Sequence, residues 1–172
     1  MPAIFSLEDK VAIVTGASRG IGRAIALSLA EHGADLVLAA RKASDLESVA
    51  AEVRNLGRKA LAVPTDVAKV SDIVNLVKAC SETFGKIDVL VNSAGISPIY
   101  KRADKVTEEE WDQITDINLK GTFFCCVEAG KVMIEQKRGK IINIASAGGL
   151  VALPRLSVYS SSKGGVIQVT RA

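Results

Sequence analysis

Five short apolar runs, separated by amphipathic stretches of helical length, recur along this 172-residue chain, and that alternation leaves few folds open. The runs are VAIVTG (11–16), ADLVLAA (34–40), KALAVPTD (59–66), IDVLVNSAG (87–95) and KIINIAS (140–146). Each is apolar at consecutive positions, as strands buried on both faces of a parallel sheet are. The intervening patterns predict helices over 20–32, 44–56, 70–84 and 107–137. Ser44 with Glu47, and Thr107 with Glu110, fit capping boxes at helix starts. Gly33, Gly57, Gly85 and Gly139 mark helix ends. Strict β/α alternation with right-handed crossovers predicts an α/β fold, a doubly wound parallel sheet with helices on both faces.

Ligands of such sheets bind at the carboxyl ends of the strands, which gathers 15–22, 40–42, 65–67, 92–96 and 145–149 along one rim. The first of these reads TGASRGIG, directly after a strand and opening a helix. Gly16, Gly20 and Gly22 permit a tight turn and close approach to a pyrophosphate, and the helix N-terminus favours its negative charge. A Gly-rich turn without a nucleotide would use the same letters. A 2'-hydroxyl selective site usually carries a carboxylate after the second strand, but position 40 is alanine. Arg41, with Arg19 from the glycine turn, suits a 2'-phosphate and so favours NADP over NAD. Asp66 either accepts from an adenine amino group or caps the next turn. Asn92, Ser93, Ala94 and Gly95 are small residues where backbone can approach a ribose.

Length and a 48% hydrophobic content predict a single domain spanning residues 1–172. Its 22 basic and 19 acidic residues are dispersed, which argues against a nucleic-acid partner. The local cluster of Lys137, Arg138 and Lys140 suits a helix C-terminus. The opening MPAIFSLEDK does not read as a leader and no apolar run reaches about 18 residues, so no membrane association and a cytoplasmic location are expected. Cys80, Cys125 and Cys126 lack metal or redox spacing and read as reduced, buried small hydrophobes. His32 suits a helix C-terminus, and Trp111 a core position or a subunit contact.

Tyr159 and Lys163 lie four apart in YSSSK, which places phenol and ammonium on one helical face. A phenol titrates near ~10 and is a poor acid or base at neutral pH, but a neighbouring cation favours its phenolate. Ser146 follows the fifth run and can hold a substrate oxygen. With TGASRGIG, Asp66-Val67, NSAG at 92–95, Asn118, Ser146 and YSSSK in order, the chain resembles the short-chain dehydrogenase/reductase family over its whole length, most closely 3-oxoacyl-acyl-carrier-protein reductases. Ser93 replaces the family's usual second asparagine, at a position expected mainly to pack.

The resemblance implies a Rossmann-like sheet of order 3-2-1-4-5 and an NADPH-dependent oxidoreductase. Tyr159 would be the general acid and base. Lys163 would assist it and hold the nicotinamide ribose, Ser146 would position the substrate oxygen, and Asn118 would help carry a relay water to Lys163. The implied NADP(H) contacts are Gly16, Ser18, Arg19, Gly20, Ile21, Gly22, Arg41, Asp66, Val67, Asn92, Ala94, Gly95, Tyr159 and Lys163. A ketone of the 3-oxoacyl thioester kind is the expected substrate, with polyol or gluconate-type oxidation and a nucleotide-binding module without turnover as alternatives. The helix containing Phe123 and Phe124 implies a homo-oligomer. The sequence stops nine residues past Lys163 within a helical pattern, so a C-terminally truncated fragment, lacking the family's last strands and substrate lid, is also expected.

Overall fold

The computed structural model describes residues 5–172; residues 1–4, part of the stretch read for a leader, lie outside the described residues. Five strands, β1 (Val11–Thr15), β2 (Asp35–Ala40), β3 (Ala60–Pro64), β4 (Val89–Asn92) and β5 (Lys140–Asn143), form one parallel sheet in the order β3-β2-β1-β4-β5. The helices are α1 (Gly20–Glu31), α2 (Ala43–Asn55), α3 (Val70–Phe84), α4 (Glu108–Thr115), α5 (Gly121–Glu135) and α6 (Ser157–Arg171).

Successive strand residues feed opposite cores, which explains why the runs are apolar at every position. Val14, Leu36 and Leu38 pack with Ala26, Leu46 and Val53 of α1 and α2. Ile13, Val37 and Leu90 pack on the other face with Ile73, Leu76, Cys125 and Met133 of α3 and α5. A fully buried leucine or isoleucine of this kind contributes roughly 1.5–3 kcal/mol. Burial also pushes the Cys80 and Cys125 thiols up to about 12, so both remain un-ionised. The expectation of two buried faces fails at the edges: β3 is half-buried and β5 largely exposed, because each has a neighbour on one side only among the described residues.

Val63, Ala39, Thr15, Asn92 and Asn143 stand in one register row across the sheet, which aligns the carboxyl ends of all five strands. Below that rim, Thr107 caps α4 as expected: its hydroxyl accepts from the Glu110 amide at 3.3 Å, and the Glu110 carboxylate accepts from the Thr107 amide at 3.0 Å. Ser44 does not cap. Only Arg41 and Lys42 separate β2 from α2, so the helix starts at Ala43 and Ser44 falls within its first turn, while Glu47 pairs with Arg54. His32 does stand at the C-cap of α1, its Nδ1 2.7 Å from the Ser28 carbonyl.

The helix expected over 107–137 is two helices joined by a π-helical turn, Asp116–Lys120. Its far end also differs. The left-handed residue closing α5 is Lys137, at φ 53°, rather than Gly139, whose missing side chain instead admits that of Met133. Arg138 leaves the helix end to pair with the buried Asp88 at 3.5 Å. Trp111 is 46% exposed and Phe123 45%, which removes the core reading of Trp111. No helix of the described residues is long and apolar enough to cross a membrane.

Candidate active site

The glycine turn depends on contacts that a side chain would block. Gly16 has φ 66°, and a Cβ there would lie 2.9 Å from the Ala94 backbone. A Cβ at Gly22, in the first turn of α1, would overlap the Gly16 carbonyl oxygen. The loops after β1 and β4 are joined by the buried Thr15 hydroxyl, which accepts from the Ser93 and Ala94 amides, each at 3.1 Å. The result is a cleft of about 870 Å³, at the upper end of the size range of small-molecule sites.

Its walls contain Gly16, Ser18, Arg19, Gly20, Ile21, Gly22, Arg41, Asp66, Val67, Ala94, Gly95, Tyr159 and Lys163. At the end of β2, Arg41 is accompanied by Lys42 and, from the first turn of α2, the Asp45 carboxylate. Asp66 caps the turn that follows β3, one carboxylate oxygen accepting from the Ala68 amide at 3.2 Å, and the residue lines the cleft.

At the other end, Lys163 is 6% exposed and donates to the Ile144 carbonyl at 2.6 Å. Burial holds its ammonium below the usual lysine range. Tyr159, one helical turn earlier, is half-buried on the same wall. Ser146 stands beyond β5, where its Oγ accepts from the Gly148 amide at 3.1 Å; that bond uses a lone pair and leaves the hydroxyl proton. Lys163 and Asn118 converge on Gly95, where a Cβ would lie 3.6 Å from Nζ and 3.4 Å from the Asn118 Oδ1.

Three expected site residues lie outside these walls: Ser146, which caps the short turn after β5, and Asn92 and Asn118, which are used elsewhere. Asn92 does not line the cleft: its Nδ2 donates to Asn143 Oδ1 at 2.9 Å and to Cys126 Sγ at 3.4 Å, joining β4 to β5 and α5. Asn118 is buried, and its carboxamide pairs with the Ile96 backbone in both directions, at 2.8 and 2.9 Å. Its main-chain carbonyl accepts from the Thr122 hydroxyl at 2.8 Å. Thr115 makes the same backbond to Trp111 at 2.9 Å, so hydroxyls occupy carbonyls on both sides of the π turn. Ser93, expected to pack, lines the cleft.

Lys42, Thr65 and Ile96 line the walls from rim segments read in the sequence, though without a role of their own there, and Asp45, Ser97 and Ile117 line them from outside those segments. Lys42 was detectable as a second cation at a strand end. Ile117 and Ile96 gave no such sign, because the turn that presents them rests on a contact between residues 96 and 118.

The sequence model described as short chain dehydrogenase matches residues 10–172. The chain is 41% identical over 167 residues to the 3-oxoacyl-[acyl-carrier-protein] reductase of Synechocystis sp. (strain ATCC 27184 / PCC 6803 / Kazusa), covering 96% of this chain and 67% of that protein. A structure from Sinorhizobium meliloti 1021, classed as a short-chain alcohol dehydrogenase, superposes with a TM-score of 0.94 at 40% identity, covering 98% of this chain and 66% of that one. NAD+-bound xylitol dehydrogenase follows with 0.92 at 34% identity, covering 95% and 63%. A metagenomic short-chain oxidoreductase in complex with NADP gives 0.92 at 35%, covering 96% and 75%. The chain spans about two thirds of the length of the first three proteins.

Proposed function

Because the chain belongs to the short chain dehydrogenase family, we propose that it is an oxidoreductase that uses NADPH to reduce a ketone, of the 3-oxoacyl thioester kind, to a hydroxyl. The observation that carries this reading is a single cleft lined at one end by the glycine turn and three cations and at the other by Tyr159 and Lys163.

The walls fit a phosphorylated dinucleotide. Gly16, Gly20 and Gly22 leave backbone space where a pyrophosphate would meet the N-terminus of α1, beside Ser18 and Ile21. Arg19, Arg41 and Lys42 would hold the 2'-phosphate, Asp66 and Val67 the adenine, and Ala94, Gly95 and Lys163 the nicotinamide side. When bound there, the reduced nicotinamide supplies the hydride.

The remaining work falls to this chain's own groups. The Ser146 hydroxyl proton orients the ketone oxygen. The Tyr159 hydroxyl gives that oxygen its proton, and the Lys163 ammonium one turn away favours the phenolate left behind. The carboxamide of Asn118 acts through its hold on Ile96. Exposed Trp111 and Phe123 suit a homo-oligomer contact.

A second reading, NAD-dependent polyol oxidation, draws on the Asp45 carboxylate in the cleft wall, since a carboxylate there suits a free 2'-hydroxyl, and on the likeness to NAD+-bound xylitol dehydrogenase.

The test is NADPH consumption with a 3-oxoacyl thioester, run beside xylitol with NAD+, together with nucleotide binding. Tyr159→Phe is expected to lower kcat by about 10²–10⁴-fold with NADPH binding retained. Binding without turnover, unaltered by Tyr159→Phe, would leave a nucleotide-binding module.

A further inference from the structure

Ser162, the residue before Lys163, has no part in the scheme above, yet it is 0% exposed and connects two walls of the cleft. Its hydroxyl donates to the Tyr159 carbonyl at 2.7 Å and accepts from Asn118 Nδ2 at 3.1 Å. The first bond alone is an ordinary helix backbond. The second is not local, because Asn118 belongs to the π turn. The carboxamide donates one of its N–H groups to Ser162 and the other to the Ile96 carbonyl, while its oxygen accepts the Ile96 amide. Flipping the amide would set acceptor against acceptor and donor against donor, so the chain from Ile96 through Asn118 and Ser162 to Tyr159 has one direction.

Packing and hydrogen bonding divide the placement of α6 between them. Glycines bring the helix close: a Cβ at Gly165 would lie 2.8 Å from Leu119, and one at Gly149 would lie 2.7 Å from the Lys163 carbonyl. Close packing sets the separation and leaves rotation about the helix axis weakly determined. Directional bonds restrain that rotation at three points, Asn143 to Thr170, Lys163 to the Ile144 carbonyl and Asn118 to Ser162, and the last of them lies in the turn that bears the phenol.

We propose that Ser162 is a positioning residue for Tyr159, holding the turn that bears the phenol in register with the Ile96 segment of the cleft through Asn118. The inference rests on the reading of Tyr159 as proton donor. Loss of the hydroxyl leaves the Asn118 N–H buried without that acceptor and frees the turn to shift, and misplacement of a reacting group is costly in rate.

The test compares Ser162→Ala, Asn118→Ala and the double variant. Ser162→Ala is expected to lower kcat about tenfold to a hundredfold while the NADPH dissociation constant stays within about twofold, and the double variant is expected to be no slower than Asn118→Ala alone. A kcat within about twofold of wild type, or rate losses that multiply in the double variant, would overturn it. If Ser162→Ala does not fold, Ser162→Cys keeps the volume with a weak donor and takes its place. If the wild-type protein turns over no ketone, the functional reading fails separately, and hydrogen exchange of the Ile96 amide decides the link. Exchange faster by about tenfold in Ser162→Ala supports it, and unchanged exchange refutes it.

Discussion

The two ends of the cleft are built by different means. At the glycine turn, position comes from the backbone: Gly16 against Ala94, Gly22 against the Gly16 carbonyl, and the amides of residues 93 and 94 on the Thr15 hydroxyl. At the Tyr159 end, position comes from buried side chains, with Asn118 bonded to the Ile96 backbone, Lys163 to the Ile144 carbonyl, and Ser162 to Asn118 as well as to the Tyr159 carbonyl of its own helix. The first kind of construction fails when an atom is added, and the second when an atom is removed. On the proposed function, damage at the first end appears as lost affinity and damage at the second as lost rate.

The largest expected effect on nucleotide binding tests the backbone-built end. Gly22→Ala places a methyl on the Gly16 carbonyl, and overpacking of that kind costs about 1–3 kcal/mol. The turn opens to relieve it, so the NADPH dissociation constant should rise by about tenfold or more, measured by nucleotide fluorescence. Retained affinity in a stable Gly22→Ala protein would mean that the turn does not hold the pyrophosphate.

Next comes Arg41→Asp, which reverses charge at the exposed rim without touching the turn. A hydrogen bond to a charged group contributes about 1.5–3 kcal/mol, so the preference for NADPH over NADH should fall by about tenfold to a hundredfold. An unchanged ratio from paired dissociation constants would sink the 2'-phosphate role and favour the reading drawn from Asp45.

A smaller effect separates the two ends by pH. Lys163 is buried and its pKa is depressed, whereas Arg41 and Lys42 are exposed. Between the folded pKa of Lys163 and its unfolded value near ~10.4, the unfolded chain holds a proton that the folded chain has shed, so this group makes stability rise with pH. Below that interval the buried charge imposes its full cost. The melting midpoint of Lys163→Met relative to wild type should therefore be most favourable near neutral pH and decline as pH approaches about 10.4. Arg41→Met should show no such trend in calorimetry. A flat difference for Lys163→Met would mean that water reaches the ammonium.

The same contrast governs what the sequence revealed. β/α alternation, the glycine turn and YSSSK are local patterns, and the strand order and cleft agree with them. Asn92 was misread because NSAG has the same letters whether its first residue meets a ligand or joins β4 to β5. The π turn was illegible because Asn118 gains its reason from Ile96, and the backbonds of Thr115 and Thr122 look like ordinary helix residues until that contact exists. Backbone-built features leave glycines behind, while buried side-chain bonds leave polar residues that resemble solvated ones.

The smallest prediction uses a pair of caps that were indistinguishable as sequence, one in each half of the chain. Thr107 closes its box with Glu110, and Ser44, displaced into the first turn of α2, reaches only the Asp45 carboxylate at 3.4 Å. Thr107→Ala should cost about 1 kcal/mol in denaturant unfolding, and Ser44→Ala less than about 0.5 kcal/mol. The Lys101 ammonium, followed by the Thr107 amide, holds the Glu110 carboxyl below its ordinary range. That contribution is present above the unfolded carboxylate pKa near ~4.3 and disappears as pH falls through the lower folded value. Thr107→Ala leaves both of these partners in place, so the pH-dependent part belongs to Glu110→Ala, whose gap to wild type should narrow in acid, while the Ser44→Ala gap, having no box to lose, should not move. Equal costs at the two sites would mean that α2 begins at Asp45, two residues later than Ala43, and that the two-residue link after β2 is looser than the register of the sheet implies.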